Sequence, residues 1–388
     1  MTTRAKRLTL DDVLIVDTDI HAHDTPEALA PYVDAEWRPY VERLLNVPRR
    51  YLDMANYSTF NSLYGPKLPG AVRSGPKGDS RIEIVWTAEQ MRRELDEFSI
   101  DVGIVFPDHH LRIGALPNVG YAAALARAFH RWLKAEWLKG DNHLYGVLIA
   151  IPQDPEEAAR EIERWGKDER FAAVYLPTCE VYPLWGHRKY DPIFEAAQRH
   201  DLPVLLHAVA GVAPGFPFNV EAFTTHISTH TVSHPFAMMG NLLSMMETGV
   251  PLRYPELRIC FCEAGLTWVP FLRMRVDKEF NEYRFQWPHF NDRPSKWIGK
   301  FYFATQPVEE PENKQDLVDL IRIYDGEDTT VFASDWPHHD FDHPRAVFDL
   351  PVSETVKRKM MGANALKLMP RVKVPEKYQS VYRQGETL

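Results

Sequence analysis

Two histidines stand at the end of an apolar run near the start of the chain, in Leu14-Ile15-Val16-Asp17-Thr18-Asp19-Ile20-His21-Ala22-His23. Side chains two apart on a strand project from the same face. This spacing therefore sets His21 and His23 side by side, able to hold one metal ion between two imidazoles. Imidazole pairs suit zinc and other first-row divalent metals. An isolated His-x-His is also common among ordinary surface histidines, so its meaning rests on what the rest of the chain brings to the same place.

Short β-rich runs recur at 13–21, 101–106, 144–151, 172–177, 204–208, 257–262, 301–305 and 330–334. Helical periodicity fills the intervals near 87–99, 119–138, 155–166, 191–200, 235–249, 268–285, 314–324 and 353–368, the first opened by the capping box Thr87-Ala88-Glu89-Gln90. Eight strands alternating with helices predict an α/β fold, a closed parallel (β/α)8 barrel, with an open doubly wound sheet as the alternative. A chain of 388 residues suits one such domain spanning 1–388. The unbroken apolar runs Val147-Leu148-Ile149-Ala150 and Val204-Leu205-Leu206 fit strands buried on both faces.

In such barrels active sites lie at the C-terminal ends of the strands. His21 and His23 end the first strand, Pro107-Asp108-His109-His110 follows the second, and His207 ends the fifth. Glu263 ends the sixth, and Asp335 ends the eighth, followed by Pro337-His338-His339. Any one of these could serve structure alone; their shared rim predicts a metal site.

The segment 31–85 interrupts the repeat after the first strand, aromatic at first (Trp37, Tyr40) and rich in Gly and Pro later. A loop of that length is expected to be a lid or an oligomer contact. The polar tail 371–388 is expected to fray or to drape over a partner, which predicts a homodimer or a hetero-oligomer with a related subunit. A formal charge of −9 argues against a nucleic-acid surface, and no apolar run is long enough for a membrane span. Three cysteines, two of them in the apolar Cys260-Phe261-Cys262, read as core thiols of a cytoplasmic protein.

The residues Asp19-x-His21-x-His23, His207, Ser334-Asp335-Trp336-Pro337-His338 and Gly362-Ala363-Asn364-Ala365-Leu366 together resemble the amidohydrolase superfamily. The branch is the amidohydrolase-related one that includes aminocarboxymuconate semialdehyde decarboxylase. The resemblance runs from about Leu14 to Leu368 and implies a metal-dependent barrel with His21, His23, His207 and Asp335 as ligands, Asp335 also handling a proton. Two departures stand out. The fourth strand, Val174-Tyr175-Leu176-Pro177-Thr178, has no lysine to carboxylate into a metal bridge, and Glu263 occupies the place of that decarboxylase's catalytic histidine.

Further candidate ligands crowd the rim: Glu263, His230, His234, His338, and Glu27 behind the histidine pair. The surplus either orients ligand imidazoles or completes a second metal position. One ion predicts zinc and a metal-activated water, with Asp335 or Glu263 shuttling the proton, acting as hydrolase or lyase on a small polar or carboxylate-bearing substrate. Two ions predict iron with iron, manganese or cobalt, and the resemblance, which extends to dinuclear oxygenases of that branch, then implies an oxygenase that hydroxylates a small substrate, or the zinc-holding partner subunit of one. Trp185, Arg188 and Trp336 are the candidate substrate contacts, Arg188 by pairing with a carboxylate.

Overall fold

The computed structural model describes residues 8–45, 87–140, 142–178, 180–209, 223, 225–338 and 340–382. Eight parallel strands follow one another in chain order around the sheet: β1 (Val16–Ala22), β2 (Val102–Pro107), β3 (Leu144–Ile149), β4 (Phe171–Pro177), β5 (Val204–His207), β6 (Ile259–Cys262), β7 (Tyr302–Ala304) and β8 (Thr330–Val331). Backbone bonds from Thr18 N to Phe332 O (3.0 Å), Asp335 N to Asp19 O (2.9 Å) and His21 N to Trp336 O (2.7 Å) join β8 back to β1 and close the barrel. The expected (β/α)8 architecture is the one found.

Every residue of β1 to β6 is buried, as strands covered on both faces require. The helices that wrap them are α1 (Ala88–Glu97), α2 (Val119–Trp132), α3 (Pro155–Trp165), α4 (Asp191–Arg199), α5 (His226–Glu247), α6 (Trp268–Tyr283), α7 (Lys314–Ile323) and α8 (Glu354–Arg358). Side-chain caps start several of them: Thr87 Oγ1 accepts the Gln90 N–H at 3.1 Å, Asn118 Oδ1 that of Tyr121 at 3.0 Å, and Asp154 Oδ1 that of Glu157 at 3.0 Å. Helix α5 begins nine residues earlier than the periodicity indicated, because Pro235 sits inside it rather than opening it. His230 and His234, which precede the expected helix start at 235, consequently lie one turn apart on this helix, their ring centroids 4.7 Å apart.

The Gly-x-Asn-Ala segment that carried part of the resemblance is a closure device. A Cβ on Gly362 would lie 2.5 Å from the Leu14 carbonyl oxygen, so only glycine lets this last helical segment seat against the lead-in to β1. Two residues on, the buried Asn364 donates Nδ2 hydrogen bonds to Thr330 O at 2.8 Å and Glu327 O at 3.1 Å, holding the start of β8.

Of the 31–85 insertion, residues 46–85 with Tyr51, Tyr57, Phe60 and Tyr64 lie outside the described residues. The described part folds onto its own chain: Asp34 pairs with Arg127 (2.6 Å) and Arg131 (2.7 Å) of α2, and Trp37 and Tyr40 pack on Tyr121. Through Tyr382 the tail packs on its own barrel. Arg371 donates to the carbonyls of Gly166 (2.6 Å) and His200, the Lys373 N–H donates to Tyr145 Oη at 2.9 Å, and Tyr378 Oη donates to Val13 O at 2.9 Å. Cys260 and Cys262 are buried free thiols, and among the described residues no helix is long and apolar enough to cross a membrane; Cys179 lies outside them.

Asn364→Ala leaves the buried Thr330 carbonyl and the half-buried Glu327 carbonyl without their donor and should lower unfolding free energy by roughly 1–3 kcal/mol. Urea denaturation followed by tryptophan fluorescence checks this; an unchanged midpoint would show that the motif does not hold the barrel closed.

Candidate metal centre

Four buried donors meet at the C-terminal mouth of the barrel: Asp19 and His21 from β1, His207 from the end of β5, and Asp335 just beyond β8. His21 Nε2 lies 2.9 Å from Asp335 Oδ1 and 3.3 Å from Asp19 Oδ1, and His207 Nε2 lies 3.1 Å from Asp19 Oδ2. The outer ring nitrogens are committed elsewhere. His21 Nδ1 donates to Pro107 O at 2.7 Å, and His207 Nδ1 donates to Ala208 O at 2.7 Å with Glu263 Oε2 at 3.2 Å. A carbonyl can only accept, so each neutral imidazole carries its proton on Nδ1 and presents the Nε2 lone pair to the centre. Both Asp19 oxygens and both Nε2 atoms are buried without a hydrogen bond of acceptable geometry. Orphaned buried groups of this kind are rare, and two imidazoles with two carboxylates suit a divalent first-row cation.

Burial would push the Asp19 carboxyl up, but His207 and His21 beside it hold it below the usual carboxylate range. Asp335 is likewise held far down against its burial, by His338 and His21. Burial works against a charged His21, yet Asp19 and Asp335 draw its pKa well up, so a cation bound there would compete with a proton.

Asp335 and Glu263 share a backbone feature. Both adopt left-handed conformations, with φ of 60° and 56°, which non-glycine residues hold only under constraint from their surroundings. The turn redirects Glu263. Simple alternation would place it with Phe261, which packs outward against Trp268 of α6; instead its carboxylate joins Asp335 and His338, with ligand atoms of all three within 4.8 Å of one another. Burial, then the charges of Asp335, Asp340 and Asp19, raise the Glu263 pKa well above the ordinary value. The arginines of the following helix, α6, are engaged elsewhere, Arg273 with Asp325 at 2.8 Å and Arg275 with Glu279 at 2.8 Å.

His338 stacks on His21 with centroids 4.1 Å apart and bridges two carboxylates, Nδ1 at 2.7 Å from Asp335 Oδ1 and Nε2 at 3.4 Å from Asp108 Oδ1. Burial opposes its charge, but Asp335 above all raises its pKa to about 9. On the other side of Asp335, Gln306 Nε2 donates to Asp335 Oδ2 at 3.3 Å and Asp340 Oδ2 at 3.0 Å, and His230 Nε2 lies 3.5 Å from the latter carboxylate.

Several expected positions fall differently. His23 does not join the four donors: β1 ends at Ala22, and beyond it the His23 ring turns to Asp108, at 3.0 Å from Nδ1. Asp19, which alternation pairs with His21 on the same strand, completes the cluster in its place. Glu27 is exposed in the first turn of the short helix Pro26–Leu29, while His230 stands 3.5 Å from Asp340 with the His234 ring beside it. Arg188 is 68 % exposed and faces Asp191. Trp185 is buried with its N–H on Pro177 O at 2.7 Å and its ring on Tyr190, while Trp336 is buried between Phe98 and Phe341 with its N–H on Glu94 at 2.8 Å. Both indoles are packing anchors for the rim loops, because their one polar atom and their faces are already used.

Residues 18–371 match the model of the amidohydrolase family, and the chain belongs to that family. It is similar to γ-resorcylate decarboxylase of a Polaromonas species, 25% identical over 292 residues (71% of this chain and 85% of that protein), and to the enzyme of the same name from Rhodococcus jostii, 24% identical over 294 residues (71% and 84%). Among solved structures, a variant of 5-carboxyvanillate decarboxylase from Novosphingobium aromaticivorans, with bound manganese and 3-methoxy-4-hydroxy-5-nitrobenzoic acid, has the same fold. Its TM-score is 0.70 at 19% identity, covering 92% of this chain and 97% of that one. An amidohydrolase from Mycobacterium avium subsp. paratuberculosis gives 0.69 at 19% identity, covering 92% and 99%. The amidohydrolase-related branch indicated by the motifs is thus the right one.

Asp19→Ala should strip tightly bound metal, lowering affinity by more than the roughly 10–100-fold that loss of an outer partner costs, whereas Glu27→Ala should leave metal content unchanged. Elemental analysis of the manganese-loaded proteins after gel filtration decides; equal content in both variants would remove Asp19 from the ligand set.

Proposed function

We propose that this protein is a divalent-metal-dependent lyase that decarboxylates a small carboxylated aromatic substrate, the ion being held by Asp19, His21, His207 and Asp335. The observation that carries the reading is the pair of imidazoles whose Nδ1 protons are committed to carbonyls, aiming two Nε2 lone pairs at two buried carboxylates. The similarity to enzymes named for the decarboxylation of resorcylate supplies the reaction class. Manganese, which the similar 5-carboxyvanillate decarboxylase carries, suits this mixed set of nitrogen and oxygen donors as well as zinc does.

A cation in this centre supplies a positive charge and Lewis acidity toward the anionic oxygens of a carboxylated phenol. The rest falls to the chain. Exchange of a carboxylate for hydrogen needs a proton delivered at the ring carbon, and a group within reach must hold it. Glu263, Asp335 and His338 are the titratable cluster that adjoins the centre, and Glu263 stands where the resembling decarboxylase has a histidine. Carboxylic acid and imidazole are both competent general acids, so the exchange changes the identity of the proton carrier and not the need for one. Hydrolysis is the second reading, favoured by the same carboxylates, which could take a proton from water. The named relatives lend no support to oxygen activation.

The test is release of carbon dioxide from 2,6-dihydroxybenzoate, 5-carboxyvanillate and related phenolic acids by the manganese-loaded protein. Turnover of at least one is expected, with Glu263→Gln lowering kcat on the order of 10²–10⁴-fold. Hydrolysis of esters, amides or lactones with no carbon dioxide release from any phenolic acid would overturn the reading.

A further inference from the structure

We infer that the rim carries a second divalent-cation site, formed by His23, Asp108 and His109 and linked to the buried centre through His338. The residues come from two places, the end of β1 and the turn after β2, and their ligand atoms all lie within 4.8 Å of one another. His23 Nδ1 is 3.0 Å and His109 Nδ1 3.9 Å from Asp108 Oδ2. Donors bound tetrahedrally at zinc-like lengths sit about 3.4 Å apart. The two distances fall on either side of that spacing, so small side-chain rotations complete the site.

The turn that carries two of the three ligands is held rigid from beneath. Asp24, fully buried, accepts the backbone N–H of Asp108 at 2.8 Å and of His109 at 2.7 Å on Oδ1, and faces His110 Nδ1 at 2.7 Å with Oδ2. Its carboxylate is spent on the backbone, which leaves the Asp108 carboxylate to face outward. The ligand side chains grade from 16% exposed at His23 through 37% at Asp108 to 42% at His109, so the site opens to solvent. Three protein ligands with an open side match the pattern of zinc sites that keep a position for water or substrate. Two imidazoles with one carboxylate select first-row borderline metals over calcium or magnesium.

The two sites are connected. Asp108 divides its oxygens, Oδ2 toward His23 and Oδ1 toward His338 Nε2 at 3.4 Å, and His338 Nδ1 touches Asp335 of the buried centre at 2.7 Å. A cation on Asp108 therefore withdraws negative charge from His338, and with it alters the group that contacts a ligand of the first ion.

Equilibrium dialysis of chelator-stripped full-length protein against Zn²⁺, with elemental analysis, tests this without reference to turnover. The wild type should bind two ions per chain, and His109→Ala and Asp19→Ala one each. Circular dichroism should be unchanged in His109→Ala, whose side chain is at the surface. One ion in the wild type, kept by His109→Ala and lost in Asp19→Ala, would overturn the second site. One ion lost in His109→Ala and kept in Asp19→Ala would support it while overturning the buried centre on which the proposed function rests.

Discussion

Two carboxylates and two imidazoles, all out of reach of water, face one another across about 3 Å at the mouth of the barrel. Taking such groups from water costs several kcal/mol per ion unless opposite charge and hydrogen bonds compensate them, and here both Asp19 oxygens and both Nε2 atoms have no conventional partners. A cation at that point resolves the imbalance. Much of the surrounding structure makes sense as the means of keeping these atoms from finding other partners in its place.

The barrel does this by fixing each donor from behind. Asp17, whose pKa burial raises to about 8 against the hydrogen bonds it receives, accepts the backbone N–H groups of Asp19 and Ser334 at 3.1 and 3.0 Å and so ties β1 to the segment that carries Asp335. Carbonyls of Pro107 and Ala208 hold the two histidine rings by their outer nitrogens. The left-handed residues Glu263 and Asp335 turn their carboxylates inward at the points where the strands stop. A similar economy governs the β6 turn, where the Glu309 carboxylate accepts the N–H groups of Leu266 and Thr267 at 3.0 and 2.8 Å, directly behind Glu263.

The eight strands were legible because buried parallel strands are written as unbroken apolar runs between amphipathic helices, and that code is local. Most of the rim could be read for the same reason, since strand ends locate it. Local rules reach their limit where tertiary contacts decide the outcome. Alternation paired His21 with His23, yet it holds only within a strand, and β1 stops between them; the same rule applied one step earlier yields Asp19. Pro235 read as a helix start, although tertiary contacts carry α5 through it. Trp185 and Trp336 read as substrate contacts from their place near the rim, but which way an indole faces depends on packing partners remote in sequence, Asn241 and Glu94 among their neighbourhoods. Glu263 was legible as a rim carboxylate, and its inward aim depends on a positive φ that no residue type announces.

The central claim is that a divalent cation sits among Asp19, His21, His207 and Asp335. Anomalous X-ray scattering from a crystal of the full chain grown with Mn²⁺ tests it most directly. The account predicts a strong manganese peak within about 2.0–2.4 Å of an oxygen of Asp19 and of Asp335 and of Nε2 of both histidines. A peak bonded by His21 and His23 with Asp19 turned away, or no peak at the barrel mouth with the protein intact, would contradict it.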